Sequence, residues 1–192
     1  MKTLFYIFLI LIFSTKSLNA QNLTKAYFAG GCFWCMEESF ENLNGVSEVV
    51  SGYSGGKTKN PTYKEVTYGD TGHFETIEVI YDSSVISYKK LLDNFWINID
   101  PFDEYGQFCD KGYSYRSVAF YQSKEQKIMI EESFNKIQKK FEKKVVTYIK
   151  KFEIFYKAED KHQDYYEVYF ENYLRYKKAC RREKILDNIW GS

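Results

Sequence analysis

Proline is almost missing from this chain, with two residues in 192. There is no internal repeat and no low-complexity stretch either. No linker offers a place to divide the chain, so one domain is the simplest reading. An excess of charge of one sign is also absent. The formal net charge is +1, which gives no ground for a nucleic-acid partner. Histidine is scarce: His73 and His162 are the only two. Neither stands at a metal-ligand spacing from the cysteines, so nothing points to a zinc site. A Cys/His hydrolase would have to draw its base from His162. After residue 13 no apolar run is long enough to span a bilayer.

The exception lies at the start. Lys2 precedes "LFYIFLILIF", Leu4 to Phe13, an apolar run of about 10 residues against the ~20 a spanning helix needs. Polar "STKSLNA" follows and ends in a small residue. This predicts a secretory signal over residues 1–20, cleaved after Ala20, and an exported domain over 21–192, periplasmic or secreted. An uncleaved membrane anchor is the alternative.

What remains is apolar and aromatic. Hydrophobic residues make up 44%, enough for a real core, and 18 Tyr with 16 Phe leave aromatics to spare for a site that holds a small apolar group. The order of elements reads as β-α-β, β-α-β-α-β, a mixed α/β (α+β) sheet with helices packed on it. "KAYFAGG" reads as a strand that runs into a glycine turn. From Cys32 the apolar residues Phe33, Met36, Phe40 and Leu43 keep helical spacing until Asn44-Gly45. "FETIEVIYD" alternates as a strand. Ser87 opens one helix, and Ser123 with Gln126 forms a capping box for another. "NPTYKEVTYGDTGH" and "DPFDEYGQFCDKGYSYRS" read as long loops. "VVTYIKKFEIFYKA" reads as strand, and "EDKHQDYYEVYF" as the opening of a last helix capped by Asp160.

Two residues stand out by chemistry. Cys32 starts a helix, where unpaired N–H groups favour a thiolate, and Gly30 and Gly31 leave it accessible. A half-buried core cysteine is the plain alternative. Glu75 falls on the same face of its strand as Ile77, Val79 and Tyr81. A carboxyl desolvated there holds its proton near neutral pH and makes a donor.

The stretches "GGCFWCMEESFENLNGV", "SGYSGG", "NPTYKEV", "TGHFETIEVIYD", "GQFCDKGYSYRSVAFY", "AEDKHQDYYE" and "CRREKILDNIWG" together resemble the peptide methionine sulfoxide reductase A family. The resemblance covers nearly all of the chain after the signal. It implies reduction of the S epimer of methionine sulfoxide, free or in proteins. It implies a ferredoxin-like two-layer sandwich core with long irregular loops. By resemblance Cys32 is the nucleophile, and Phe33 and Trp34 line the pocket for the substrate methyl group. Glu75 is the acid, and Tyr63, Asp110 and Tyr115 bind and polarise the sulfoxide. Ser114 stands where the family more often has glutamine, and "EVYFENY" departs from its usual sequence. No metal or bound cofactor is implied. The recycling partner is a thioredoxin-like dithiol, exported if the enzyme is, and the expected state is a monomer.

Reduction would leave Cys32 as a sulfenic acid, which a second thiol must attack. Cys180 lies between Lys177, Lys178, Arg181 and Arg182, a surround that favours its thiolate, and it matches the family's C-terminal cysteine. A mobile tail would let it swing to the site. Cys35, three residues after Cys32 on one helix face, is the alternative. Cys109 sits beside Asp110, whose charge disfavours its thiolate. A non-catalytic secreted module with all four cysteines paired remains the competing class.

Overall fold

The computed structural model describes residues 22–191; the expected signal segment lies outside the described residues. Among the described residues no helix is long and apolar enough to cross a membrane. Strand β1 (Leu23–Ala29) passes through Gly30 and Gly31 into α1 (Phe33–Glu41). Then come β2 (Val46–Ser54), α2 (Tyr63–Tyr68), β3 (Phe74–Asp82) and α3 (Tyr88–Ile97). A hairpin of β4 (Gly106–Gln107) and β5 (Asp110–Lys111) precedes a 3-10 turn at Tyr113–Tyr115. Next are β6 (Val118–Tyr121), α4 (Lys124–Lys140), β7 (Tyr148–Lys151) and β8 (Phe155–Lys157). The chain closes with α5 (Tyr165–Val168), α6 (Phe170–Ala179) and α7 (Arg182–Trp190).

The main sheet has the order β7-β6-β1-β3-β2-β8. Only β6 and β7 pair in parallel; the other neighbours are antiparallel. Two split β-α-β units interlock. Strand β3 lies between β1 and β2, which α1 joins, and β1 lies between β3 and β6, which α3 and the hairpin segment join. Alternation along β1 sends Ala26 and Phe28 to one face and Tyr27 and Ala29 to the other. The first face meets α1, α3 and α4 through Phe40, Leu91, Phe95 and Ile130. The second is covered by Phe152 and Phe155.

The serine caps form as expected. Ser87 accepts the Lys90 amide, and Ser123 accepts the Gln126 amide. The return bond of the second cap goes to Gln122 rather than Ser123, at 2.7 Å. Three readings need correction. The "NPTYKEV" loop contains α2, with a complete Thr62–Glu65 capping box. The "VVTYIKKFEIFYKA" strand splits into β7 and β8, which sit on opposite edges of the sheet. Asp160 caps no helix: it starts a 3-10 turn, and Asp164 at φ 51° breaks the chain before α5.

Candidate active site

Cys32 is the N-cap of α1, 5% exposed, at the carboxyl end of β1. Gly31 makes that entry possible. Its φ is +82°, and a Cβ there would stand 2.5 Å from Gln107 Cβ. Gln107 is itself locked, since its amide brackets the Asp100 backbone with two bonds of 2.8 Å. The first amide of α1, from Phe33, donates to Glu75 Oε2 at 3.1 Å. Glu75 comes from β3, opposite Tyr53 of β2, and points to the helix-covered face as alternation requires. It is 2% exposed, and its Oε1 makes no hydrogen bond. Burial pushes its carboxyl well above the ordinary range, and Asp110 adds to the rise; the Phe33 amide works against it.

Around these two groups lies a cavity of ≈ 50 Å³ lined by Cys32, Phe33, Trp34, Tyr63, Glu75, Asp110, Tyr115 and Tyr176. It has room for a group larger than one water. Larger clefts exist, such as one of ≈ 410 Å³ at Asp103, Arg116 and Lys144, but no thiol lines it. All seven residues expected to meet the substrate line the small cavity: Cys32, Phe33, Trp34, Tyr63, Glu75, Asp110 and Tyr115. Tyr63 opens α2, and Glu159 fixes it by accepting the Tyr63 amide at 2.9 Å and the Tyr53 hydroxyl at 2.8 Å. The Tyr63 and Tyr115 hydroxyls interact, and burial raises both phenols further above neutrality. Trp34 is held flat against Tyr165, with ring centroids 3.7 Å apart.

Tyr176 is the lining residue that sequence reasoning missed. Its hydroxyl donates to Asp110 Oδ2. That bond opposes the rise that burial imposes on the Asp110 carboxyl. Tyr176 lies on α6, 66 residues from Asp110.

The cysteines divide into two pairs. Cys109 and Cys180 form a disulfide with Cα atoms 4.9 Å apart. Cys32 and Cys35 are free thiols, both buried. The expected mobile tail is instead the helices α6 and α7, and Cys180 is 6% exposed between them. Two effects oppose each other at Cys32. Desolvation pushes its thiol up against the helix start, while Cys35 is brought down to about 7 by the hydrogen bond from Cys32, with Arg182, Tyr173 and Lys177 contributing.

His162 does not build a thiol–imidazole pair. It is 5% exposed, packs on Tyr63 with centroids 4.5 Å apart, and neither ring nitrogen has a partner. Burial lowers its basicity. Among the described residues two groups gather enough ligand atoms for a metal. One is Cys109, Asp110 and Cys180, whose sulfurs are bonded to each other; the other is Glu37, Glu41 and Asp164.

The model of the family described as "Peptide methionine sulfoxide reductase" matches residues 24–192. A Listeria monocytogenes protein named peptide methionine sulfoxide reductase MsrA is 46% identical over 175 residues, which cover 90% of this chain and 99% of that protein. A Streptococcus agalactiae protein of the same name is 44% identical over 171 residues, covering 88% and 99%. Among solved structures, reduced Mxr1 of Saccharomyces cerevisiae aligns with a TM-score of 0.72 at 31% identity, over 77% of this chain and 86% of its own. Methionine sulfoxide reductase A of Corynebacterium diphtheriae aligns at 0.70 and 29%, over 78% and 76%.

Proposed function

The chain belongs to the peptide methionine sulfoxide reductase family and is a peptide-methionine (S)-S-oxide reductase, and we propose that Cys32 is its nucleophile, Glu75 its proton donor and Cys35 the thiol that closes on oxidised Cys32. One observation carries this assignment: a thiol and a buried carboxyl line one small cavity walled by aromatic rings. Phe33 and Trp34 suit the thioether methyl. Tyr63 and Tyr115 suit the sulfoxide oxygen, with Asp110 beside them.

In this reading the Cys32 sulfur attacks the sulfoxide sulfur while its proton passes to Cys35, the second buried free thiol, three residues along. Glu75 protonates the departing oxygen, so no negative charge has to build up on it. Methionine leaves and Cys32 carries the hydroxyl as a sulfenic acid. The Cys35 thiol then attacks Cys32, the S–O bond breaks, and water departs with the thiol proton. An external dithiol reduces the Cys32–Cys35 disulfide by exchange and is itself oxidised. Cys35 takes the place expected of Cys180 because it shares a face of α1 with Cys32, whereas Cys180 is bonded to Cys109.

The yeast relative Mxr1 has been solved in complex with Trx2. For this chain a thioredoxin-like dithiol is the reductant we favour. It must be an exported one, because the N-terminal sequence supports secretion with cleavage near Gln21. The expected working unit is a monomer.

The test is turnover of methionine S-sulfoxide with dithiothreitol and without added metal. The wild type should turn over, and Cys32→Ser should yield no methionine even in one turnover. One full equivalent from that variant would overturn the assignment. N-terminal sequencing of exported protein should begin near Gln21; intact Met1 in the membrane fraction would favour the anchor.

A further inference from the structure

The cavity at Cys32 has a volume of ≈ 50 Å³. It admits the end of one side chain and none of the backbone that carries it. The residues that flank the methionine of a peptide substrate must therefore rest on the rim.

One side of that rim is a stripe of tyrosines. The Tyr169 amide donates to the Tyr165 carbonyl at 3.0 Å, and the Tyr173 amide to the Tyr169 carbonyl at 2.9 Å. Helical spacing thus runs across the junction of α5 and α6, and Tyr165, Tyr169 and Tyr173 share a face. Tyr173 is buried beside Cys32 and Cys35. Tyr165 lies flat on Trp34, with planes 9° apart, and Trp34 lines the cavity. Tyr169 comes next, its ring centroid 4.8 Å from that of Tyr165. Trp34, Tyr165 and Tyr169 form a row of rings that starts in the cavity wall and ends in solvent.

The outer end of the row is apolar and open. Tyr169 is 43% exposed, and its chain neighbours Val168 and Phe170 are 65% and 54% exposed. Leu174, one turn after Phe170 on α6, is exposed as well. Single apolar side chains on a surface are ordinary; three in succession beside a substrate cavity mark a contact surface. They belong to "EVYFENY", Glu167–Tyr173, the stretch that departs from the usual family sequence.

We propose that Tyr169, flanked by Val168 and Phe170, is a subsite for a large apolar side chain of a peptide substrate, two residues from the oxidised methionine. The occupant is an extended chain. There every second side chain points the same way, about 7 Å from the last. Tyr169 stands two ring steps from Trp34, so the side chain that shares the methionine's face reaches its ring. This rests on the reading that Trp34 receives the substrate methyl group.

The test compares kcat/KM for pentapeptides with methionine S-sulfoxide at the centre and dithiothreitol in excess. Phenylalanine or serine occupies either end, two residues from the sulfoxide. At one end the phenylalanine peptide should be preferred by roughly three- to tenfold, through KM, which is what one aromatic pair provides. Tyr169→Ser should abolish the preference and Tyr169→Phe should keep it. A general loss of activity divides out of that ratio. If Tyr169→Ser does not fold, the wild type decides: a benzophenone side chain in place of the phenylalanine should cross-link within residues 168–170. Equal use of the peptides by the wild type, a preference that survives in Tyr169→Ser, or cross-links away from this stretch would overturn the proposal. So would a dimer that Tyr169→Ser dissociates, which would assign the patch to a second copy of the chain. An unchanged KM for free methionine S-sulfoxide in Trp34→Ala would instead overturn the reading beneath it.

Discussion

The Phe33 amide donates to Glu75 Oε2 at 3.1 Å and leaves Oε1 as the one carboxyl oxygen without a hydrogen bond. The helix that carries the nucleophile therefore also orients the acid, and both Cys32 and Glu75 line the cavity. Glu75→Gln keeps the amide acceptor and removes the transferable proton. Methionine formation in a single turnover should fall by about 10²- to 10⁴-fold. The wild-type rate should decline as pH rises through the elevated Glu75 value, and that decline should vanish in the variant. A rapid-quench pH series checks both; an unchanged profile would argue against the donor role.

The same carboxyl links stability to pH. Its folded value lies well above its ordinary one. Between the two, the unfolded chain has lost the proton while the folded chain keeps it. Stability contributed by this group is therefore lost as pH rises from the ordinary value to the folded one. Glu75→Gln removes that slope. The melting temperature of the variant relative to wild type should rise from mildly acidic to mildly alkaline pH. A constant difference would show that Glu75 ionises normally.

Much of this site is legible from local pattern. Period-two alternation places Glu75 on the core face, and helical spacing after two glycines places Cys32 at the start of α1. The serines at 87 and 123 announce their helices. The Thr62–Glu65 capping box was equally local, but Pro61, Gly69 and Gly72 around it read as loop. Other features depend on distance. Tyr176 meets Asp110 only because α6 folds back across the site, and nothing in the α6 pattern marks it among so many tyrosines. Four cysteines allow three pairings, so Cys109–Cys180 could not be derived from spacing. Burial at Cys32 is also a matter of distance: a helix start favours the thiolate, and the packing that leaves the residue 5% exposed pushes the thiol up.

Tyr176→Phe isolates one hydroxyl, because the ring keeps its edge contact with Trp34, with centroids 5.9 Å apart. Asp110 Oδ2 loses its donor. A hydrogen bond to a charged group contributes about 1.5–3 kcal/mol, so denaturant unfolding should show a loss of that order. The Asp110 carboxyl, already raised by burial, should rise further, since the lost bond was lowering it. Any activity loss should therefore be larger at mildly acidic than at alkaline pH. Equal loss at all pH would mean that the hydroxyl only supports the fold.

Cys109→Ser with Cys180→Ser distinguishes a structural bond from a resolving thiol. The bond spans 71 residues, and closing a loop of that size in the unfolded chain is worth about 2–4 kcal/mol. The double variant should unfold at correspondingly lower denaturant. Its first turnover should nevertheless match wild type, and the Cys32–Cys35 disulfide should still form, because neither substituted sulfur lines the cavity. Cys35→Ser should behave in the opposite way. Its stability should change little, since Ser keeps the shape of Cys at this buried position. Its steady-state turnover with a thioredoxin-like donor should collapse, and dimedone should trap a Cys32 sulfenic acid. Peptide mass spectrometry after one turnover without reductant reads both variants. A Cys32–Cys180 bond in wild type, with Cys35→Ser fully active, would return the resolving role to the C-terminal cysteine. That outcome would require the Cys109–Cys180 bond to open during catalysis, and the double variant would then stop after one turnover with dimedone-reactive Cys32.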